Sequence, residues 1–96
     1  MVTQIKCNDP KLKDQIEELL NVHMCSIDDL VYKLEMDVVH TEEGGGEPLY
    51  LCRVLISDLG SGSLVVEEHQ SDLALSVNRA LSRIVRRLMR RQLSRQ

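Results

Sequence analysis

Residues 73–96 contain seven arginines and neither a lysine nor an acid. At about 100° per residue, Arg79, Arg83, Arg86 and Arg90 fall in one narrow band of a helix, well away from the apolar stripe. Arg87 and Arg91 flank that band nearer the core boundary, and Arg95 continues the charge towards the chain end, where a frayed helix terminus is expected. The guanidinium fork bonds phosphate and carboxylate bidentately, which a lysine ammonium cannot do. Like charges four residues apart destabilise an isolated helix by about 0.2–0.5 kcal/mol per pair, so the stripe calls for a counter-charge. Two readings follow. The arginines form a solvated face, suited to the helix dipole or paired to the protein's own acids. Alternatively, they meet an anionic partner, RNA first.

Other residues with reactive chemistry lack partners at useful spacing. His23 and Cys25 are neighbours without a second pair at zinc spacing, so no metal is expected, and His23 is placed at the helix–sheet boundary. Glu67-Glu68-His69 and His40-Thr41-Glu42-Glu43 supply acid and base types, but nothing aligns base, orienter and nucleophile. Gly44-Gly45-Gly46 lacks the Lys and Ser/Thr of a phosphate loop and reads as a hairpin connection. The expectation is a binding protein and not an enzyme, with no cofactor and no small-molecule substrate.

Composition narrows the class further. With 96 residues, 43% hydrophobic and 28% charged, the chain is expected to form one domain with a small core. Tyr32 and Tyr50 are the only aromatics besides histidine, so the core must be aliphatic and base-stacking on aromatic rows is disfavoured. Three cysteines, an odd number without metal spacing, fit a reducing cytosol and small core positions. No apolar run approaches the roughly 18 residues of a membrane span. The net charge of −3 hides a division: residues 1–72 hold all 15 acids and five cations, a net −10, against +7 in residues 73–96. Such asymmetry points to internal pairing or to an anionic partner for the last segment.

The elements that must position these residues follow from periodicity. Val2–Cys7 alternates as a strand, and Asn8-Asp9-Pro10 opens a helix to about Met24, with Leu12, Ile16, Leu19, Leu20 and His23 inward. After the break at Ser26-Ile27-Asp28-Asp29, Leu30, Tyr32, Leu34, Met36 and Val38 form the dry side of a second strand. Thr41–Pro48 is the hairpin connection to a third strand, Leu49–Asp58. Leu59-Gly60-Ser61-Gly62 turns into a fourth, Ser63–Glu68. Ser71 is the predicted N-cap of a last helix, with Asp72 in its first turn and Leu73, Val77, Ala80, Leu81, Ile84 and Leu88 inward. The expected fold is α+β, in the order β-α-β-β-β-α, with two helices on one face of a four-stranded sheet.

This order over the whole chain resembles the short ribosome hibernation promoting factors, the family that includes the ribosome-associated translation inhibitor. The local likeness lies in Ser71-Asp72-Leu73-Ala74-Leu75-Ser76-Val77-Asn78-Arg79-Ala80-Leu81 and Ile84-Val85-Arg86-Arg87-Leu88. It is similar to the family's Asp, apolar pair, alanine-rich turn and basic amphipathic helix. The chain departs from the family pattern at Asn21, Val22 and His23, where lysines are common. It departs again at Asn78, where Asp is usual, and at Ala74, where tyrosine is usual. The resemblance implies a cytoplasmic factor that occupies the mRNA and tRNA channel of the small ribosomal subunit and blocks translation in resting cells. It implies rRNA phosphate contact at Arg79, Arg83, Arg86, Arg87 and Arg90. An acidic protein or a second copy of the chain is the alternative partner; no membrane is expected.

Overall fold

The computed structural model describes residues 2–25, 28–43, 46–58 and 62–94. Strand β1 (Val2–Cys7) leads through a 3-10 turn (Pro10–Leu12) into helix α1 (Lys13–Met24). After a second 3-10 turn (Asp28–Leu30) come β2 (Val31–Glu43), β3 (Glu47–Asp58), β4 (Ser63–Gln70) and helix α2 (Leu73–Ser94). The fold is α+β, as the periodicity predicts. The strands lie in chain order, β1-β2-β3-β4, so β1 and β4 are the two edges. β1 runs parallel to β2, with α1 as the crossover, whereas β2, β3 and β4 form an antiparallel meander.

Asp9 begins the first helical segment as expected, its side chain accepting from the Lys11 amide at 3.1 Å with Pro10 following. The entrance to α2 differs from expectation. Asp72, not Ser71, is the N-cap: its Oδ2 accepts from the Leu75 amide at 2.9 Å and its carbonyl from the Ser76 amide at 3.0 Å. A carboxylate there satisfies an orphan amide and also meets the positive end of the helix dipole, an advantage the hydroxyl of Ser71 lacks.

The long hairpin also extends further than alternation indicates. Pairing continues to Glu43↔Glu47, so strand geometry includes Thr41, Glu42 and Pro48. Pro48 is tolerated near the start of β3, and Gly46 supplies the positive φ of 105° that the return needs. Near the other end of β2, Val31 pairs with Asp58 and Lys33 with Ser57, leaving Tyr32 as an extra residue in a β-bulge. The bulge reverses the expected facing: Val31 is buried and Tyr32 exposed. The expected break at Ser26-Ile27, the first two glycines of the triple glycine, Leu59-Gly60-Ser61 of the last turn, and Arg95 lie outside the described residues.

The core is aliphatic. Ile16, Leu20 and Met24 of α1 and Val77, Leu81, Ile84 and Leu88 of α2 pack on Leu34, Met36, Val38, Cys52, Val54, Ile56 and Val66 of the sheet. Each such side chain contributes about 1.5–3 kcal/mol relative to its exposed state. All six residues assigned to the α2 stripe are buried, and so is Ser76, whose hydroxyl donates to the Tyr50 carbonyl at 3.1 Å. That bond lets a polar residue sit in the interior without an unsatisfied group.

Cysteine placement gives a direct test of this packing. Cys52 is fully buried, and burial first, then the charge of Glu68, pushes its thiol up to about 12. Cys25 is exposed. At pH 8 a thiol reagent is expected to label Cys25 rapidly and Cys52 only in denaturant, as peptide mapping by mass spectrometry would show; rapid labelling of Cys52 in the native protein would contradict this core.

Candidate nucleic-acid interface

Helix α2 lies over β3 and β4 and presents its arginines along the β4 side of the sheet. Arg79, Arg83, Arg86, Arg87 and Arg90 are all exposed, and Arg91 is half-buried. The structure thus brings the five candidate residues onto one helix surface but divides them by what they touch. Arg83 Nη1 donates to Glu68 Oε1 at 2.9 Å and to the Glu67 carbonyl at 3.2 Å. Arg87 Nη1 donates to the Val65 carbonyl at 3.0 Å. Arg91 reaches the Ser63 carbonyl at 3.5 Å and the buried carboxylate of Asp58 at 3.4 Å. Arg79, Arg86 and Arg90 have no hydrogen bond or ion pair among the described residues.

Helical geometry explains the division. Each four-residue step advances about 40° around the axis, so the series 83, 87, 91 drifts towards the sheet while 79, 86 and 90 stay outward. Arg91, outside the candidate set, is the member most drawn into the fold. Gly62 gives it room, since a Cβ there would meet its guanidinium at 2.5 Å. The spacing 83-87-91 was the available sequence signal, but the position of β4 gives it meaning.

Two shallow grooves mark where an anion could lie. One, of about 280 Å³, is lined by Glu68, Asn78, Arg79, Ser82, Arg83 and Arg86. The other, of about 140 Å³, lies among Arg83, Arg86, Arg87 and Arg90. Glu68 is the acid facing the first, and its carboxylate occupies the guanidinium edge that a phosphate would take. Of the other sheet acids, Glu35 lies 3.0 Å from Lys33 and Glu67 3.7 Å from Arg53, both on the other face, while Asp58 pairs with Arg91. Among the described residues, Glu68 is therefore the competing carboxylate beside the five candidate arginines.

His23 sits between the helices and not at the helix–sheet boundary: its Nε2 lies 2.8 Å from Asn78 Oδ1, a bond in which the imidazole N–H donates. Two positions at which the sequence departs from the resembled pattern are thus in contact. His40 stacks on Tyr50 with ring centroids 4.5 Å apart, and Glu42 stands 3.8 Å from His40 Nε2. Asn8 ties down the same strand end, its amide accepting from the His40 N–H at 2.8 Å and donating to the His40 carbonyl at 2.9 Å. Among the described residues no group of three or more His, Cys, Asp or Glu could hold a metal ion.

A mixed four-stranded sheet with two packed helices, the last carrying outward arginines, places the chain in the α+β class. Among solved structures it is similar to a ribosomal subunit interface protein from Coxiella burnetii, at 11% identity and TM-score 0.74, covering 97% of this chain and 99% of that one. It is also similar to the N-terminal domain of Thermus thermophilus Protein Y, at 23% identity and TM-score 0.62, covering 94% and 98%. The chain therefore has the fold of these proteins over nearly its whole length, the fold implied by the resemblance to the hibernation promoting factors. No protein-family model and no curated protein matches the sequence. No helix among the described residues is long and apolar enough to cross a membrane.

Proposed function

We propose that this chain is a ribosome-associated factor of the hibernation type, acting in the cytoplasm, whose α2 lays Arg79, Arg83, Arg86, Arg87 and Arg90 on rRNA phosphates of the small subunit. Bound there, it occludes the decoding channel and restrains translation. The observation that carries this reading is five exposed arginines on one helix of a fold found in a ribosomal subunit interface protein. Guanidinium–phosphate contacts supply affinity without reading sequence, and occlusion requires no catalytic group.

The test is co-sedimentation of the purified protein with small subunits and whole ribosomes at low and high salt. Saturable binding that weakens with salt and disappears in Arg83→Glu/Arg86→Glu, with the fold retained, is the expected result. No binding at low salt would overturn the reading and favour a protein-interaction module of the same fold. Glu68 gives a second test in the opposite direction. Its ion pair with the half-exposed Arg83 is worth at most about 1 kcal/mol, so Glu68→Gln is expected to tighten ribosome or poly-anion binding by up to about fivefold. Unchanged or weaker affinity in a titration would show that Arg83 does not engage the anion.

A further inference from the structure

An edge strand presents backbone groups to which another strand can add, and proteins commonly block such edges. On β4 the residues paired across to Ser57, Leu55, Arg53 and Leu51 are Ser63, Val65, Glu67 and His69. The arginine contacts show that the carbonyls of Ser63, Val65 and Glu67 point away from β3. In antiparallel pairing the N–H groups of the same residues point outward too, and His69 continues the alternation. Arg83, Arg87 and Arg91 take those three carbonyls in reverse chain order, Glu67, Val65 and Ser63. The match is metric: four helical residues rise about 6 Å, and two strand residues rise about 6.6 Å. A helix antiparallel to an edge strand can therefore cap every second carbonyl with an arginine at every fourth residue.

We propose that Arg83, Arg87 and Arg91 form an edge guard that keeps β4 closed to strand addition by a second copy of this chain. The second copy is the fitting partner because the edge is self-complementary. An antiparallel copy centred on Val66 pairs Ser63 with His69 and Val65 with Glu67, and does so reciprocally, so all four outward residues are used in one closed two-fold arrangement. That arrangement would also set two α2 helices side by side with their arginine rows opposed. The guard thus acts both by covering the carbonyls and by like-charge repulsion. It works without RNA and is independent of whether the protein binds ribosomes.

The experiment measures solution mass by light scattering over a concentration series, without nucleic acid, with circular dichroism to confirm folding. Arg91 is left in place because it pairs with the buried Asp58. The Arg83→Ala/Arg87→Ala variant is expected to shift from one-chain to two-chain mass. Arg87→Ala alone, which removes the contact to Val65, is expected to shift partway and serves if the double variant unfolds. Arg86→Ala/Arg90→Ala removes equal charge without uncovering the edge and is expected to remain a monomer. Adding Val65→Pro to either uncovered variant deletes an outward N–H that the β3 ladder does not use, and is expected to restore the monomer. The proposal is overturned by folded uncovered variants that stay monomeric, by equal dimerisation of Arg86→Ala/Arg90→Ala, by a dimer that survives Val65→Pro, or by a wild-type dimer that Val65→Pro dissolves.

Discussion

Reversing Arg86 and Arg90 to glutamate is expected to remove most of the affinity for ribosomal small subunits while leaving the fold intact. Both side chains are exposed and make no hydrogen bond or ion pair among the described residues, so nothing in the interior depends on them. The new acids would also stand three residues from Arg83 and Arg87, respectively, which replaces like-charge neighbours with opposite ones and adds a few tenths of a kcal/mol to the helix. Counterion release sets the scale of the binding effect. The five proposed phosphate contacts would give a log–log salt slope of about −4, so wild-type affinity is expected to fall roughly 250-fold between 50 and 200 mM salt. With Arg79, Arg83 and Arg87 alone the slope is about −2.5 and the fall roughly 30-fold. Repulsion by the two glutamates lowers the affinity further at every salt concentration. Sedimentation across a salt series checks both numbers; an unaltered slope would remove Arg86 and Arg90 from the interface.

The second large effect concerns the same helix turned around. Ile84 lies between Arg83 and Arg86 in sequence but is fully buried against the sheet. Ile84→Ala is expected to cost about 2–5 kcal/mol through lost burial and the cavity left behind. Stability for a domain is about 5–15 kcal/mol, and at about 4–8 °C per kcal/mol the melting midpoint should drop by roughly 10 °C or more. Below that midpoint, the affinity per folded molecule should match wild type. Urea unfolding followed by circular dichroism measures the first quantity and the salt-series assay the second. A variant with unchanged stability would show that this position is not in the core. One that stays folded but binds weakly would show that the arginine face depends on the exact seat of α2.

The two substitutions separate what α2 does for the fold from what it does for a partner. That separation is cleanest for Arg86 and Arg90, poorer for Arg87, which also bonds the strand edge, and poorest for Arg83, which likewise sits in both groups. Its guanidinium holds Glu68 and an edge carbonyl at once, and both compete with an incoming phosphate. A phosphate contacting Arg83 must replace those bonds, whereas at Arg79, Arg86 and Arg90 it displaces only water.

The contact between His23 and Asn78 illustrates a different coupling. A hydrogen bond at 2.8 Å joins α1 to α2 where the resembled pattern carries lysines and an aspartate nearby. The two helices remain tied, but by a pair that places no formal carboxylate at position 78, beside the groove lined by Arg79, Arg83 and Arg86. The departure at Asn78 therefore leaves Glu68 as the only acid, among the described residues, lining that groove.

Periodicity in the sequence was sufficient for the element order, for the α+β class and for the whole buried stripe of α2, because each depends on side chains a few residues apart on one rigid element. The arginine band is legible for the same reason, since a helix fixes the relative directions of positions 79, 83, 86 and 90 wherever it docks. The facing of Val31 and Tyr32 was not legible, because a bulge is set by the register between β2 and β3 and leaves no mark in the alternation of β2 alone. The preference for Asp72 over Ser71 as cap turned on one residue of helix phase, and the two side chains compete for the same role. The division of the arginines lay furthest beyond the sequence. It depends on the distance and direction of β4 from α2, which the packing of Val77, Leu81, Ile84 and Leu88 on the sheet sets. That docking turns a uniform run of charge into one row bonded to a strand edge and another facing solvent.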